Sequence, residues 1–203
     1  MVCWAAMQRS LQCRRWLFWY LLVVSLCGVD AVNAKTRLEE DGYVLLRGRA
    51  TNTAAFALLC AAVLRLPFHE MHLLPGTQAD KKRRIKVLKP PGRGKRVTCS
   101  LYRALVRLYA KVGKEVLRES CPVYRPSIIA TAPGAKPQLY HADLGPGEGK
   151  YVGFVAVHHR RLLLLDQPPV DLAPGDMLLM RAQVCHAGNG GAGLANCIFA
   201  SHA

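Results

Sequence analysis

The chain has 203 residues, 51% of them hydrophobic, and 28 Lys and Arg against 13 Asp and Glu give it a formal charge of +15. That length carries one ordinary domain with a core of its own, and that apolar content excludes a disordered chain. The charge biases the molecule toward anionic surroundings and says nothing about its fold.

Residues 1–34 do not read as part of that domain. Arg9, Arg14 and Arg15 precede an uncharged run from Trp16 to Val29, and small residues follow at Val32–Ala34. This is the pattern of a signal peptide, and the run is shorter than the roughly 20 apolar residues of a spanning helix. Left uncleaved, the same segment is a single-pass signal anchor with its basic flank in the cytosol. The expectation is a leader over 1–34 and a folded domain over 35–203, lumenal or secreted. Beyond the leader stand Cys60, Cys99, Cys121, Cys185 and Cys197. An odd number without C-x-x-C gives no zinc motif and no full disulfide framework; one bridge, or buried free thiols, are the alternatives.

Glu39 to Gly42 reads as a helix end and a turn, followed by a strand over Tyr43 to Arg47. Thr53 to Leu66 is an Ala/Leu-rich helix, capped by Thr51, Asn52 or Thr53 and stopped by Pro67. His69 and His72 would share a face if FHEMHLL were helical, but no third ligand accompanies them, and they read as structural. Residues 80–96 carry nine Lys and Arg around Pro90-Pro91-Gly92, which predicts an exposed loop. Lys81, Lys82, Arg83 and Arg84 on that loop would meet an anionic surface. Without interleaved aromatics they do not suit sequence-specific nucleic-acid binding. From Ser100 to Glu119 the periodic Leu101, Leu105, Leu108, Val112 and Val116 predict an amphipathic helix.

From Pro126 the texture changes to short apolar runs between Gly/Pro turns: SIIATA, QLYHAD, YVGFVAVH, RLLLLD, DMLLM, AQVCHAG and NCIFAS. Such spacing predicts an antiparallel sandwich or barrel with the helices packed outside, an α+β domain. His158-His159-Arg160-Arg161 fits a polar hairpin tip, because neighbours on a strand face opposite ways and cannot share one ion.

Within this half, His141 and Asp143 in QLYHAD lie two apart, on one face if the segment is extended. His186 stands 45 positions later, in Val184-Cys-His-Ala-Gly188. Two imidazoles and one carboxylate on one face of an octahedron leave open positions, the arrangement suited to non-haem Fe(II). Leu172-Ala-Pro-Gly-Asp-Met-Leu-Leu-Met180 supplies a turn and a buried strand just before the last of them. Cys185 adjoins His186 and should point away from the ion as a packed thiol. There is no G-x-S-x-G, no H-E-x-x-H and no G-x-x-x-x-G-K-[ST], so serine hydrolase, zincin and P-loop chemistry have no support.

Together Q-x-x-H-x-D, P-G-D-x-L-L-x and H-x-G resemble the Fe(II)/2-oxoglutarate-dependent oxygenases, particularly the prolyl-hydroxylase-like and phytanoyl-type branches. The upstream Leu38-x-x-Asp-Gly-Tyr-Val-Leu-Leu-Arg47 is similar to the strand that opens many of them. The resemblance implies a double-stranded β-helix, or jelly roll, with N-terminal packing helices. It also implies that His141, Asp143 and His186 hold iron, that 2-oxoglutarate is the cosubstrate, and that the substrate is a protein side chain or a small molecule.

One departure is plain. The family usually places Arg or Lys about ten residues after the distal histidine, to hold the far carboxylate of 2-oxoglutarate. Here Leu194-Ala-Asn-Cys-Ile198 stands in that place, and no Lys or Arg follows His186. Lys150, Arg160, Arg161 and Arg181 are the candidate replacements, with Tyr140 as a hydrogen-bonding helper. The rival expectations are a catalytically inactive jelly-roll binding protein gripping an anionic partner through its basic loop, and a cupin-like metal enzyme without 2-oxoglutarate.

Overall fold

The computed structural model describes residues 33–63, 69–72, 79–88, 96–118, 123–132, 134–143, 151–189 and 193–201. The leader through residue 32 lies outside the described residues. Among those described, no helix is long and apolar enough to cross a membrane.

Helix α1, residues 33–40, places Ala34 and Leu38 in the core and ends at Gly42, whose φ of +80° an L side chain rarely adopts. Strand β1 (Tyr43–Leu46) follows, as its β-formers predict. Helix α2 (Ala54–Val63) is capped by Thr53, whose Oγ1 accepts from the Phe56 N–H at 3.2 Å and donates to the Ala50 carbonyl at 2.7 Å. Helix α3 (Arg96–Val116) buries Leu101, Leu105, Leu108, Val112 and Val116, the stripe its periodicity predicts.

Two antiparallel sheets receive the rest. The larger has seven strands in the order β1-β8-β5-β10-β4-β3-β2, comprising also β2 (His69–His72), β3 (Ala79–Val87), β4 (Val123–Thr131), β5 (Tyr151–Ala156), β8 (Met177–Arg181) and β10 (Gly193–Ser201). The smaller runs β7-β6-β9, from β6 (Arg160–Leu164), β7 (Gln167–Leu172) and β9 (His186–Gly188). Side-chain alternation sorts the core into two layers. Val155, Met177 and Leu179 face α3 and the other helices, whereas Val152, Phe154, Ala156, Leu178 and Met180 meet Leu162, Leu164, Val170 and Leu172 of the smaller sheet. Strands β5 and β8 are thus covered on both sides, which is why VGFVA and MLLM read as continuous apolar runs. The architecture is a jelly roll with its helices against the outer face of the large sheet.

Three expectations need correction. Residues 80–87, expected in the exposed basic loop 80–96, belong to β3, with Arg83 to Val87 paired to Thr131 to Ser127 of β4. Backbone hydrogen bonds make a ladder whatever the side-chain charge, and a run of Lys and Arg is one way sheets protect strands near an edge. The anionic contact assigned to Lys81, Lys82, Arg83 and Arg84 therefore loses its loop; residues 89–95 lie outside the described residues. His69 and His72 are on a strand, not a helical face, with His69 opposite Ile85. Strand β7, QPPVDL, was hidden by Pro168 and Pro169, which cannot donate to a ladder and stand here at the edge of the small sheet.

The turn into β8 is built around Asp176, which is 3% exposed. Its carboxylate accepts from the N–H groups of Gly48 at 2.7 Å and Ala173 at 2.9 Å and from Arg47 at 2.7 Å. The P-G-D of the sequence is thus a structural clasp joining β1 to β8. Burial, the largest influence, would raise this carboxyl, but the Gly48 and Ala173 N–H groups and Arg47 outweigh it and hold it below the ordinary carboxylate range.

Candidate metal centre

The chain between β4 and β5 runs beside β9 without forming a regular strand. Gln138 donates its N–H to the Gly188 carbonyl at 3.0 Å, and His141 and His186 exchange both backbone hydrogen bonds at 2.9 Å. The expected strand over QLYHAD is a single bridge, and Asp143 sits in a bend beyond it. The bend brings the carboxylate back between the two imidazoles. Nε2 of His141 lies 3.5 Å from Asp143 Oδ1, and Nε2 of His186 lies 3.6 Å from Oδ2. One ligand atom from each residue falls within 4.8 Å of the others.

The proton positions follow from neighbours. Nδ1 of His141 is 2.8 Å from the Leu139 carbonyl, and Nδ1 of His186 is 3.0 Å from the Val184 carbonyl. A carbonyl can only accept, so each Nδ1 carries the proton and each Nε2 of a neutral ring is a lone-pair donor directed at the carboxylate. Asp143 Oδ2 is buried and has no hydrogen-bond partner. With both rings neutral, electron-rich atoms converge with no proton between them, which costs free energy unless a cation occupies the space. The backbone carbonyls are the outer groups that fix tautomer and ring orientation in metal sites. Burial, the largest influence, pushes the His186 imidazole below its ordinary value despite the opposing pull of Asp143. That favours the neutral, ligating form. Phe154 of β5 meets the His186 ring edge-on, with centroids 5.6 Å apart, and closes the inner side of the site.

The candidate cosubstrate residues separate clearly. Arg181 is exposed and shares the outer, helix-side face of β8 with Met177 and Leu179, away from the three ligands. Arg161 also faces outward and forks onto Asp171 at 2.7 and 2.8 Å. Tyr140, 49% exposed, neighbours His141 in the extended segment and projects to the opposite side. Lys150 lies outside the described residues. Arg160 is different: it is half-buried, pairs with core residue Leu172 and donates from Nη2 to Thr131 Oγ1 at 3.0 Å. His158 and His159 form the exposed turn before it, as expected. Cys185 is a half-buried free thiol.

Gln138, the first residue of Q-x-x-H-x-D, ties this segment to β9 through its side chain as well as its backbone. Its Oε1 accepts from the Gly188 N–H at 3.0 Å and occupies the space a side chain at 188 would need, 2.5 Å from an ideal Cβ. The glycine of H-x-G is therefore required by the glutamine of Q-x-x-H-x-D, a relation visible only once the segments are adjacent. A separate cavity of about 910 Å³ lies on the outer side among α1, β1 and α3. It contains none of the three ligands, and its Arg47 and Arg49 are paired with Asp176 and Glu115.

No family model and no curated protein matches the chain. Solved structures do. A prolyl hydroxylase from Trichoplax adhaerens, in complex with a hypoxia inducible factor oxygen degradation domain peptide, aligns with a TM-score of 0.69 at 9% identity, over 89% of this chain and 92% of that one. A 2OG-Fe(II) oxygenase family oxidoreductase from Burkholderia pseudomallei gives 0.61 at 14% identity, over 83% and 89%. The epimerase SnoN in complex with Fe3+, alpha ketoglutarate and nogalamycin RO gives 0.63 at 14% identity, over 84% and 83%. Likeness at these identities speaks to architecture: this chain shares the jelly roll of these solved structures, and two histidines and one aspartate converge within it.

Proposed function

We propose that the protein is a non-haem Fe(II), 2-oxoglutarate-dependent oxygenase that oxidises a C–H bond of a protein side chain or a small molecule. The observation carrying this reading is the meeting of His141 Nε2, His186 Nε2 and the Asp143 carboxylate, with both Nδ1 protons held by backbone carbonyls. The donor set fits a ferrous ion that keeps open positions for a bidentate oxo acid and oxygen. The substrate classes are supported by neighbours of the same fold, one in complex with a peptide and one with the small molecule nogalamycin RO.

Iron bound there with 2-oxoglutarate supplies oxidative decarboxylation to succinate and carbon dioxide, coupled to transfer of an oxygen atom to the substrate. The chain's own residues do the positioning. The double backbone bridge fixes the spacing of the histidines, and the Leu139 and Val184 carbonyls set their rings. Asp143 supplies negative charge from a bend, with a side chain about one-fifth exposed. Phe154, Leu162 and Leu164 exclude water from the inner side. The leader read from residues 1–34 supports a lumenal or secreted protein, or one held by a signal anchor.

The test is succinate formation from 2-oxoglutarate by the purified chain in air. It should require added Fe(II) and vanish in Asp143→Ala; turnover that is indifferent to iron or survives that substitution contradicts the reading.

A further inference from the structure

The three ligands are backed by a wall made of the inner faces of β5 to β8, with Phe154 against the His186 ring and Leu164 opposite His186 in register. Val152, Phe154, Ala156, Leu162, Leu164, Val170, Leu172, Leu178 and Met180 make it apolar. Arg160 is the one Lys or Arg on that wall among the described residues. Its side is fixed by register: it pairs with Leu172, and it precedes Leu162 and Leu164, which pair with Gly188 and His186. The other bases considered for this role face outward or lie outside the described residues.

We infer that Arg160 and Thr131 seat the far carboxylate of the oxo-acid cosubstrate, moving that contact from the last strand, where no Lys or Arg stands, to β6 and β4; the inference rests on the metal-centre reading above. Three observations converge on it. The guanidinium is aimed by its hydrogen bond to Thr131 Oγ1, and Thr131 is 1% exposed. A threonine hydroxyl that accepts from arginine still has its own O–H to donate, so a carboxylate brought there meets a guanidinium and a hydroxyl together. Gly188 of β9 borders the pair, an ideal Cβ there lying in ordinary contact, 3.9 Å, with Arg160 Nη2, so the guanidinium lies on the side of the strand that carries His186.

The spacing also suits a dicarboxylate. Arg160 is four residues along β6 from Leu164, the partner of His186, so roughly 13 Å of strand separates the two levels. The long arginine side chain closes part of that distance and leaves the remainder to the ligand. An oxo acid that chelates the metal at one end and ends in a carboxylate at the other can touch both. One lacking the second carboxylate cannot.

The experiment uses the full chain with Fe(II) under anaerobic conditions and follows the visible metal-to-ligand charge-transfer band while 2-oxoglutarate or 2-oxobutanoate is added. Both share the chelating head, and only the first carries a far carboxylate. The wild type should prefer 2-oxoglutarate by about 100-fold, the size expected of two charge-assisted hydrogen bonds. Arg160→Gln should bring the two acids within about 3-fold while still binding one Fe(II), and Arg160→Lys should keep part of the preference as a point charge does. Thr131→Val should lower it by about 10-fold and Thr131→Ser restore it. A wild type that binds Fe(II) but shows no preference, or an Arg160→Gln chain that keeps the full preference, overturns this inference alone. A wild type that binds no Fe(II) overturns the metal-centre reading and this inference with it.

Discussion

His141 and His186 are hydrogen-bonded to each other through both backbone groups, each N–H donating to the other's carbonyl at 2.9 Å. The pair therefore forms a rigid crosspiece between the β4–β5 connection and β9, with both imidazoles projecting to the same side and their centroids 4.8 Å apart. The backbone pairing sets the separation of the two imidazoles.

Asp143→Asn tests whether the metal-free centre is strained by its own lone pairs. The carboxamide has nearly the shape of the carboxylate and adds N–H donors where Oδ2 has no hydrogen-bond partner. Without metal, the variant should be as stable as the wild type or more stable by up to about 1 kcal/mol. Its affinity for Fe(II) should nevertheless fall steeply. Urea denaturation in chelator, set beside metal titration, checks both; a variant that unfolds more easily without metal contradicts the account.

Gly188→Ala should damage the site without touching a ligand. The added methyl meets Gln138 Oε1 at 2.5 Å, so the glutamine must release the Gly188 N–H or the two segments must part. Loss of Fe(II) affinity by about 10-fold or more is expected, the size of an outer-group effect on a metal site. A Gln138→Ala partner should recover part of the loss, and a double-mutant cycle measures the coupling.

Asp176 gives the acid sensitivity of the fold. Its folded carboxyl titrates below the ordinary range, so the stability it contributes is present above the unfolded value near about 3.9 and is lost as the pH falls through the lower folded value. Asp176→Asn should cost about 1–3 kcal/mol at neutral pH, because an amide N–H then faces the Ala173 N–H. Denaturation midpoints taken from neutral pH down to about 3 should converge for the two proteins. Parallel curves would contradict this.

Gly153→Ala should loosen α3 from the large sheet. A Cβ there lies 2.2 Å from the Tyr109 ring, and both are interior, so a cost of about 1–3 kcal/mol is expected. Tyr109→Leu in the same chain should reduce that cost, since the clash is with the ring.

Much of this was legible in the residues. Q-x-x-H-x-D and H-x-G carry the His141, Asp143 and His186 trio, and P-G-D marks the turn into β8, because each demands a particular residue type at a fixed place; the Gln138–Gly188 contact and the partners of Asp176 emerge only when distant segments meet. The α3 stripe and the strands β5, β6 and β8 were legible through burial, which leaves a periodic or continuous apolar signal. Strands β3 and β7 were not. One is written in Lys and Arg and the other contains two prolines, and both are held by backbone pairing that leaves little trace in side-chain pattern. The position of Arg160 could be singled out only from register, because Arg160 and Arg161 are adjacent in the chain and face opposite ways. Asp143 was expected beside His141 on one strand; instead a bend returns its carboxylate to both rings.

The most direct test of the central claim is the stoichiometry of Fe(II) bound to the purified chain under anaerobic conditions, measured for the wild type and for His141→Ala, Asp143→Ala and His186→Ala. One ion per chain is predicted, with affinity lower by about 100-fold or more in each variant. A wild type that binds no Fe(II), or variants that bind it as the wild type does, would show that these three side chains do not form a metal centre.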